Sequence, residues 1–273
     1  MSTNDSGDAA ASGEADGATM PLLDHLIELR RRLMWCAAAF IVLFFACFGV
    51  AEELFNFLVE PLAHLWEGQE GRRLIYTALH EKFFTDVKVA FFAAAFLSFP
   101  VIASQIWRFV APGLYRREKA AFLPFLLATP VLFFSGGAFV YYIVMPLAWQ
   151  FFAGFEQAAG GGHLAIQLEP KVNEYLGLVM RLIFAFGLTF EMPVVLTLLV
   201  RAGLVGVETL KAKRRYAIVI AFIAAAILTP PDPLSQLALA IPMIGLYEVS
   251  IWISVLMERR ARRTAEREEA AAQ

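Results

Sequence analysis

Two apolar runs near the C-terminus decide the fold. Residues 216–230 read YAIVIAFIAAAILTP, and after the turn Pro231-Asp232-Pro233, residues 234–257 read LSQLALAIPMIGLYEVSIWISVLM. So tight a turn allows only a helical hairpin, whose first arm covers about 22 Å at 1.5 Å per residue. The hydrocarbon core of a bilayer is about 30 Å thick. The hairpin therefore predicts a membrane protein whose short arm lies in locally thinned bilayer or receives polar cover from a partner.

The composition of the whole chain agrees with this prediction. Of its 273 residues, 59% are hydrophobic and only 18% are charged, and the mean hydropathy is +0.61. Soluble domains are about 45–50% apolar and about 25% charged. The composition excludes a soluble enzyme, a nucleic-acid binder and a disordered scaffold. The histidines and cysteines do not cluster, so we expect no metal and no cofactor.

Apolar runs of spanning length recur and predict an all-α polytopic membrane protein with six transmembrane helices. The predicted spans are Leu33–Ala51, Val87–Trp107, Ala121–Phe151, Leu176–Val200, Tyr216–Pro230 and Leu234–Met257. An amphipathic helix, Pro21–Arg32, leads into the first span. The third span is over-long and holds Pro130 and Pro146, so we expect it to kink or to protrude from the bilayer.

Basic residues are divided unevenly between the two sides of these spans. Of the 23 Lys and Arg residues, 17 fall in the segments on the side of the two termini, five fall on the other side, and Arg181 lies within the fourth span. Cytoplasmic segments carry the excess of Lys and Arg, so both termini are predicted to be cytoplasmic. The predicted domains are a disordered N-terminal tail (1–20), a membrane domain (21–257) and a charged cytoplasmic tail (258–273).

Two acids, Glu28 and Glu118, lie in strongly basic cytoplasmic segments. Glu28 precedes Arg32 by four residues, which is typical of a surface pair on a helix, and Glu118 is typical of an acid at a helix N-terminus. Alternatively, the two carboxylates together hold a dicationic ligand, each meeting one guanidinium through paired hydrogen bonds. The spacing leaves both interpretations open.

Glu191 is an acid within the fourth span. A charge placed mid-membrane costs about 2.5–3.5 kcal/mol on insertion scales, which favours a functional role; the alternative is a structural acid beside a kink at Pro193. Arg181, ten positions earlier on the helix, is rotated from Glu191 by about 80°. We therefore expect Arg181 not to pair with Glu191 and to extend to the outer interface.

Apolar and aromatic side chains surround the end of the second span. Phe109, Leu114 and Tyr115 are typical of an interfacial aromatic belt. They also suit one wall of a groove that takes an apolar segment.

Four blocks of sequence together resemble the TatC family, the polytopic receptor subunits of the twin-arginine protein translocase. They are HLIELRRRL (25–33), FVAPGLYRRE (109–118), FGLTFEMP (186–193), and LTPPD (228–232) with Ser235-Gln236 and AIPM (240–243). All four blocks occur in the family's order, and the resemblance covers residues 21–257.

The resemblance implies a cupped bundle that performs no catalysis. Such proteins lie in the bacterial cytoplasmic (inner) membrane and bind the twin-arginine signal peptides of folded cargo. They export that cargo with the single-span subunits TatB and TatA, driven by the proton-motive force. Further copies of the chain and the lipid bilayer are the other expected partners, and nucleic acid is not expected.

The resemblance also implies roles for particular residues. The acids that match Glu28 and Glu118 contact the twin-arginine motif, and Phe109, Leu114 and Tyr115 lie in the same patch. The acid that matches Glu191 faces the concave pocket. The polar positions that match Thr229 and Gln236 contribute to partner docking.

A proton-coupled secondary transporter that uses Glu191 as its proton carrier is the rival class. The absence of internal repeats in the sequence disfavours it. A membrane-embedded protease is a weaker third, because the spans hold no paired Ser/His, paired Asp or H-E-x-x-H arrangement.

Overall fold

The computed structural model describes residues 8–68, 71–114, 123–157, 166–229 and 233–272, and these ranges are almost entirely helical. The helices are α1 (Asp8–Gly49), α2 (Ala51–Leu65), α3 (Glu81–Leu114), α4 (Leu123–Phe139), α5 (Met145–Ala153), α6 (Val172–Phe190), α7 (Met192–Arg201), α8 (Val207–Ala212), α9 (Arg214–Leu228) and α10 (Pro233–Ala272). A π-helical turn, Val140–Val144, joins α4 to α5.

Five segments within the described ranges are long and apolar enough to cross a bilayer. They are His25–Gly49, Glu81–Phe109, Pro124–Ala153, Val172–Arg201 and Ser235–Arg260. The predicted all-α membrane fold is confirmed. The remaining predicted span, Tyr216–Pro230, corresponds to α9, whose 15 residues cover about 22 Å. The count of six spans therefore stays a prediction.

The helices at the two ends are longer than the predicted spans. The backbone is helical from Asp8, and α10 continues past Met257 to Ala272. The disordered tail over residues 1–20 stays a prediction. Both extensions are rich in Ala, and the second also in Arg and Glu, which favour helix. The helix α3 likewise extends past the predicted end of its span at Trp107 to Leu114.

The third and fourth spans are interrupted where proline or a wide turn breaks the regular hydrogen bonds. Pro130 lies inside α4 without ending it, and the interruption comes instead at the π-helical turn just before Pro146. In the fourth span α6 ends at Phe190, and Pro193 stands in the first turn of α7. Proline has no N–H to donate to the preceding turn, so the helix breaks at Glu191.

Most membrane helices pack on a neighbour that is close in sequence. The helix α1 packs along α3, α4 against α6, and α7 and α9 against α10. The contact between α4 and α6 is very close: a Cβ on Gly187 would lie 2.7 Å from the Phe133 ring. Small residues allow such close approach between membrane helices.

The connections α2–α3 and α5–α6 are held together at one end of the bundle. The Arg72 guanidinium donates hydrogen bonds to both carboxylate oxygens of Glu156, and the Leu168 amide donates to the same carboxylate at 2.9 Å. An isolated parallel β-bridge between Ile75 and Lys171 also links the two connections. These contacts fix the two connections relative to each other.

Candidate functional site

A charged cavity lies between α1 and α3, near the end of α3 that carries Phe109. Its volume is about 750 Å³, and its lining is Ile27, Glu28, Arg31, Arg32, Trp35, Gln105 and Arg108. We call it the α1–α3 cavity. One carboxylate and three guanidinium groups share the lining, so the cavity has excess positive charge except around Glu28.

Glu28 is paired with Arg32 inside this cavity. Arg32 Nε donates to Glu28 Oε1 at 3.0 Å, and Arg32 Nη2 donates to the same oxygen. Arg32 Nη1 also donates to Gln105 Oε1 at 3.5 Å. The surface pair predicted from the four-residue spacing is therefore present. The carboxylate stays accessible, because the Glu28 side chain is 41% exposed.

An aromatic pair flanks the cavity. The rings of His25 and Phe109 are stacked, with centroids 4.3 Å apart and planes 19° from parallel. His25 lies one helical turn before Glu28 on α1. The stack therefore places the Phe109 ring beside the part of α1 that carries the Glu28 carboxylate. The structure thus brings together Glu28 and Phe109, two of the residues predicted for signal-peptide binding.

The other predicted members of this patch follow Phe109 closely in sequence. Leu114 is the last residue of α3, but its side chain lies outside the part that the structure describes. Tyr115 and Glu118 also lie outside the described residues. Sequence reasoning missed Gln105; its amide, one turn before Phe109 near the end of the predicted second span, was the available signal.

Glu191 lies at the break between α6 and α7 and is 8% exposed. Thr129 and the backbone of Phe133, both on α4, lie beside its carboxyl. Its Oε1 has no hydrogen-bond partner within the described ranges. A buried polar atom without a partner costs about 1–3 kcal/mol, so the position is not explained by stability.

Thr129 connects Glu191 to the helix that lines the cavity. Trp107 Nε1 donates to Thr129 Oγ1 at 3.1 Å, and Trp107 lies on α3 two residues before Phe109. Sequence reasoning missed both residues, although a hydroxyl next to Pro130 in an apolar span was a usable signal. Arg181 lies ten residues from Glu191, and no hydrogen bond or ion pair between them is found in the described part of the chain.

The polar residues predicted for partner docking lie on the α9–α10 hairpin. Thr229 Oγ1 donates to Ala225 O at 2.8 Å, and Gln236 Nε2 donates to Phe222 O at 3.2 Å. Both groups thus satisfy backbone carbonyls near the end of α9. The bond to Phe222 O uses one N–H of the Gln236 amide; the second N–H and the side-chain carbonyl oxygen take no part in it.

The chain is similar to known proteins over most of its length. The profile of the family described as "Sec-independent protein translocase protein (TatC)" matches residues 24–242. A protein of that name from Magnetococcus marinus is 51% identical over 250 residues, covering 92% of this chain and 89% of the relative. The one from Escherichia coli K12 is 40% identical over 236 residues, covering 86% and 88%.

A solved structure is similar as well. The crystal structure titled "Twin Arginine Translocase Receptor- TatC in DDM" superposes with a TM-score of 0.73 at 38% identity, covering 84% of this chain and 99% of that one. The fold defines a multi-pass helical membrane protein with a charged cavity between α1 and α3 and a buried carboxyl at the α6–α7 break. The chain belongs to the TatC family. This membership supports the translocase prediction over the secondary transporter.

Proposed function

We propose that the chain is the membrane receptor that binds twin-arginine signal peptides of folded cargo at the α1–α3 cavity. It then exports that cargo with TatB- and TatA-type single-span subunits, driven by the proton-motive force and without catalysis. The observation that carries the proposal is the convergence of Glu28, Gln105 and Phe109 at one end of α1 and α3. Family membership supplies the class of ligand.

The charges of the cavity explain how it selects an arginine pair. Arg31, Arg32 and Arg108 repel a cationic peptide everywhere except at the Glu28 carboxylate, so the field focuses the ligand there. Glu28 already holds the guanidinium of Arg32. One arginine of the peptide replaces the Arg32 guanidinium and forms paired hydrogen bonds with the Glu28 carboxylate. Glu118 binds the second arginine of the peptide.

Binding of a fluorescent twin-arginine peptide to membranes carrying each variant tests this proposal. Glu28→Gln and Glu118→Gln should each remove a charge-assisted contact worth about 1.5–3 kcal/mol, or about 10- to 150-fold in affinity. The loss should shrink at high salt and against a twin-lysine peptide, which cannot make the two-pronged contact. Because both acids share one ligand, the double variant should lose less than the two single losses combined.

Glu208→Gln is the matched control, because Glu208 is an exposed acid on the same predicted side and lies outside the cavity. It should bind the peptide as the parent does. If Glu28→Gln and Glu118→Gln also bound both peptides as the parent does, these acids would have only structural roles and the proposal would fail.

We also place both termini in the cytoplasm of a bacterium, with the chain in its inner membrane. The division of Lys and Arg supports this orientation. A reporter that is active only after export, fused after Gln273, should stay silent. The same reporter inserted after Gly68, in the first outer connection, should be active, and the reverse pattern would overturn the orientation.

We assign docking of the single-span subunits, and of further copies of the chain, to the α9–α10 hairpin. Support comes from the shortness of α9, which leaves the half-buried Gln236 within reach of a partner helix in the bilayer, with the buried Thr229 beside it. Gln236→Leu should weaken copurification of the single-span subunits, and the exposed Ile241→Leu should not. Equal copurification would remove Gln236 from the docking surface.

A further inference from the structure

A second polar cavity, distinct from the α1–α3 cavity, lies between α3, α6 and the end of α9. Its volume is about 680 Å³. Along α3, its lining residue Lys88 is seventeen residues, or about 26 Å, from Gln105 of the α1–α3 cavity. The cavities therefore lie toward opposite faces of the membrane. We call the second one the α6–α9 cavity.

Two cations line the α6–α9 cavity. Arg181 is exposed, although it lies about 14 Å along α6 from Val172 and inside an apolar span. Among the described residues we find no hydrogen bond or ion pair for its guanidinium. Lys88 Nζ donates to Asn173 Oδ1 at 2.7 Å, which leaves two of its three N–H groups. Both cations therefore have donors to spare.

One acid also lines the cavity but does not balance these charges. Glu174 lies 3.6 Å from Lys171 Nζ, with which it forms an ion pair. The lining therefore keeps an excess of positive charge. A cation within a span is costly in hydrocarbon, so Arg181 requires an anionic partner or water at its own depth.

The end of α9 sets that depth. Leu228, the last residue of α9, and Thr229 line the same cavity as Arg181. The 15 residues of α9 cover about 22 Å, which is less than the bilayer's hydrocarbon thickness of about 30 Å. Lipid headgroups must therefore approach the midplane where α9 ends. This brings phosphate groups to the level of Arg181.

The cavity also has room for a headgroup. Gly177 lies one turn before Arg181 on the face of α6 that lines the cavity, and a Cβ built on it meets no atom of the described residues within 4 Å. The glycine leaves an open path along α6 between the bilayer surface and Arg181.

We propose that the α6–α9 cavity binds the phosphate of an anionic phospholipid, with Arg181 as the two-pronged donor and Lys88 as the second cation. A planar guanidinium matches phosphate geometry, and an ammonium adds a point charge. The excess positive charge selects a headgroup of net negative charge over a zwitterionic one. The bound lipid seals the outer end of α9 against the rest of the bundle.

Retention of lipid by the purified full-length protein, measured by native mass spectrometry in detergent, tests this proposal. The parent should bind phosphatidylglycerol at least about tenfold more tightly than phosphatidylcholine. Arg181→Gln should abolish most of that preference, because it removes a charge-assisted contact. Arg73→Gln is the matched control: it removes a cation from the same end of the bundle but outside the cavity, and the preference should survive.

Gly177→Leu provides a second variant that keeps every charge and fills the open space. It should also lose the bound lipid while unfolding at the parent's temperature or above. Unchanged phosphatidylglycerol preference in both Arg181→Gln and Gly177→Leu would overturn the proposal. So would displacement of the lipid by millimolar inorganic phosphate, which indicates a free-anion site, or by an acidic transmembrane peptide, which indicates a protein partner.

Discussion

Gly136 and Phe186 lie so close together that a Cβ on Gly136 would come within 2.6 Å of the Phe186 carbonyl oxygen. The contact joins α4 to α6 backbone to backbone. Phe186 lies five residues before Glu191, and Gly136 lies seven residues after Thr129 on α4. The contact therefore holds the end of α6 that leads into Glu191 against α4, which carries Thr129. The geometry around Glu191 therefore depends on a residue without a side chain.

Gly136→Ala should destabilise the protein, because the neighbouring atom is backbone and cannot rotate away. Overpacking costs about 1–3 kcal/mol, and each kcal/mol shifts the melting temperature of a chain of this size by about 2–4 °C. Thermal unfolding in detergent measures the change. Gly245→Ala is the control, since a Cβ there meets nothing within 4 Å in the part of the chain that the structure describes. Equal melting temperatures for the two variants would contradict the expected overpacking at Gly136.

Arg32→Gln should tighten signal-peptide binding by a few-fold. Arg32 occupies the Glu28 carboxylate through two of its nitrogens, so its guanidinium competes with that of the peptide. Arg30→Gln removes the same charge from the same helix but not from the cavity lining. A binding titration that finds Arg32→Gln no tighter than Arg30→Gln would show that only the general charge matters.

Glu191→Gln should leave peptide affinity within a few-fold of the parent while export of a folded substrate falls. Glu191 is buried at the α6–α7 break and does not line the α1–α3 cavity. The melting temperature should hold or rise, because Glu191 Oε1 has no hydrogen-bond partner among the described residues and a neutral amide is less costly to bury. Glu53→Gln is the control, because Glu53 is an exposed acid that lines neither cavity. A drop in peptide binding as large as that of Glu118→Gln, or undiminished export, would disprove this division of roles.

Stability should fall in acid because of the Arg72–Glu156 contact. Hydrogen bonds from Arg72 hold the pKa of Glu156 below its ordinary value of about 4.3. A carboxyl whose pKa is lower in the folded state stabilises that state above its unfolded pKa, and the stabilisation is lost as the pH falls through the folded value. Glu156→Gln should therefore lower the melting temperature by about 2–4 °C at pH 7 and flatten its decline below pH 5.

Glu169→Gln is the comparison for that measurement. Glu169 faces Arg73 at 3.6 Å, and the Arg73 side chain is 71% exposed. Exposed pairs contribute about 0–1 kcal/mol, so this variant should keep the parent's pH profile. If the two variants showed the same acid profile, the Arg72–Glu156 contact would not be the cause.

The sequence was sufficient for those features that depend on neighbours along one helix. Hydropathy located the membrane helices, the four-residue spacing predicted the Glu28–Arg32 pair, and Pro193 predicted the break beside Glu191. Each of these follows from helical periodicity or from the missing N–H of proline. The shortness of α9 was likewise visible in the residue count.

The contacts between helices were not predictable in the same way. Arg32 and Gln105 are 73 residues apart, and helical periodicity does not specify which face of α1 meets which face of α3. The Trp107–Thr129 hydrogen bond, which joins α3 to α4, was not predicted for the same reason. The π-helical turn at Val140–Val144 was also missed, because the local sequence holds no distinctive signal for it; within the turn, the Tyr141 ring stacks on Phe57 of α2.

The pairing of the helices has a consequence for the order in which the chain assembles during synthesis. The partners α1 and α3 are both complete before α4 begins, so the N-terminal pair can form while the rest of the chain is still being made. By contrast, α7 and α9 both pack on α10, which is made last. The C-terminal half of the bundle, including the outer end of α9, therefore closes only when the final helix leaves the ribosome and enters the bilayer.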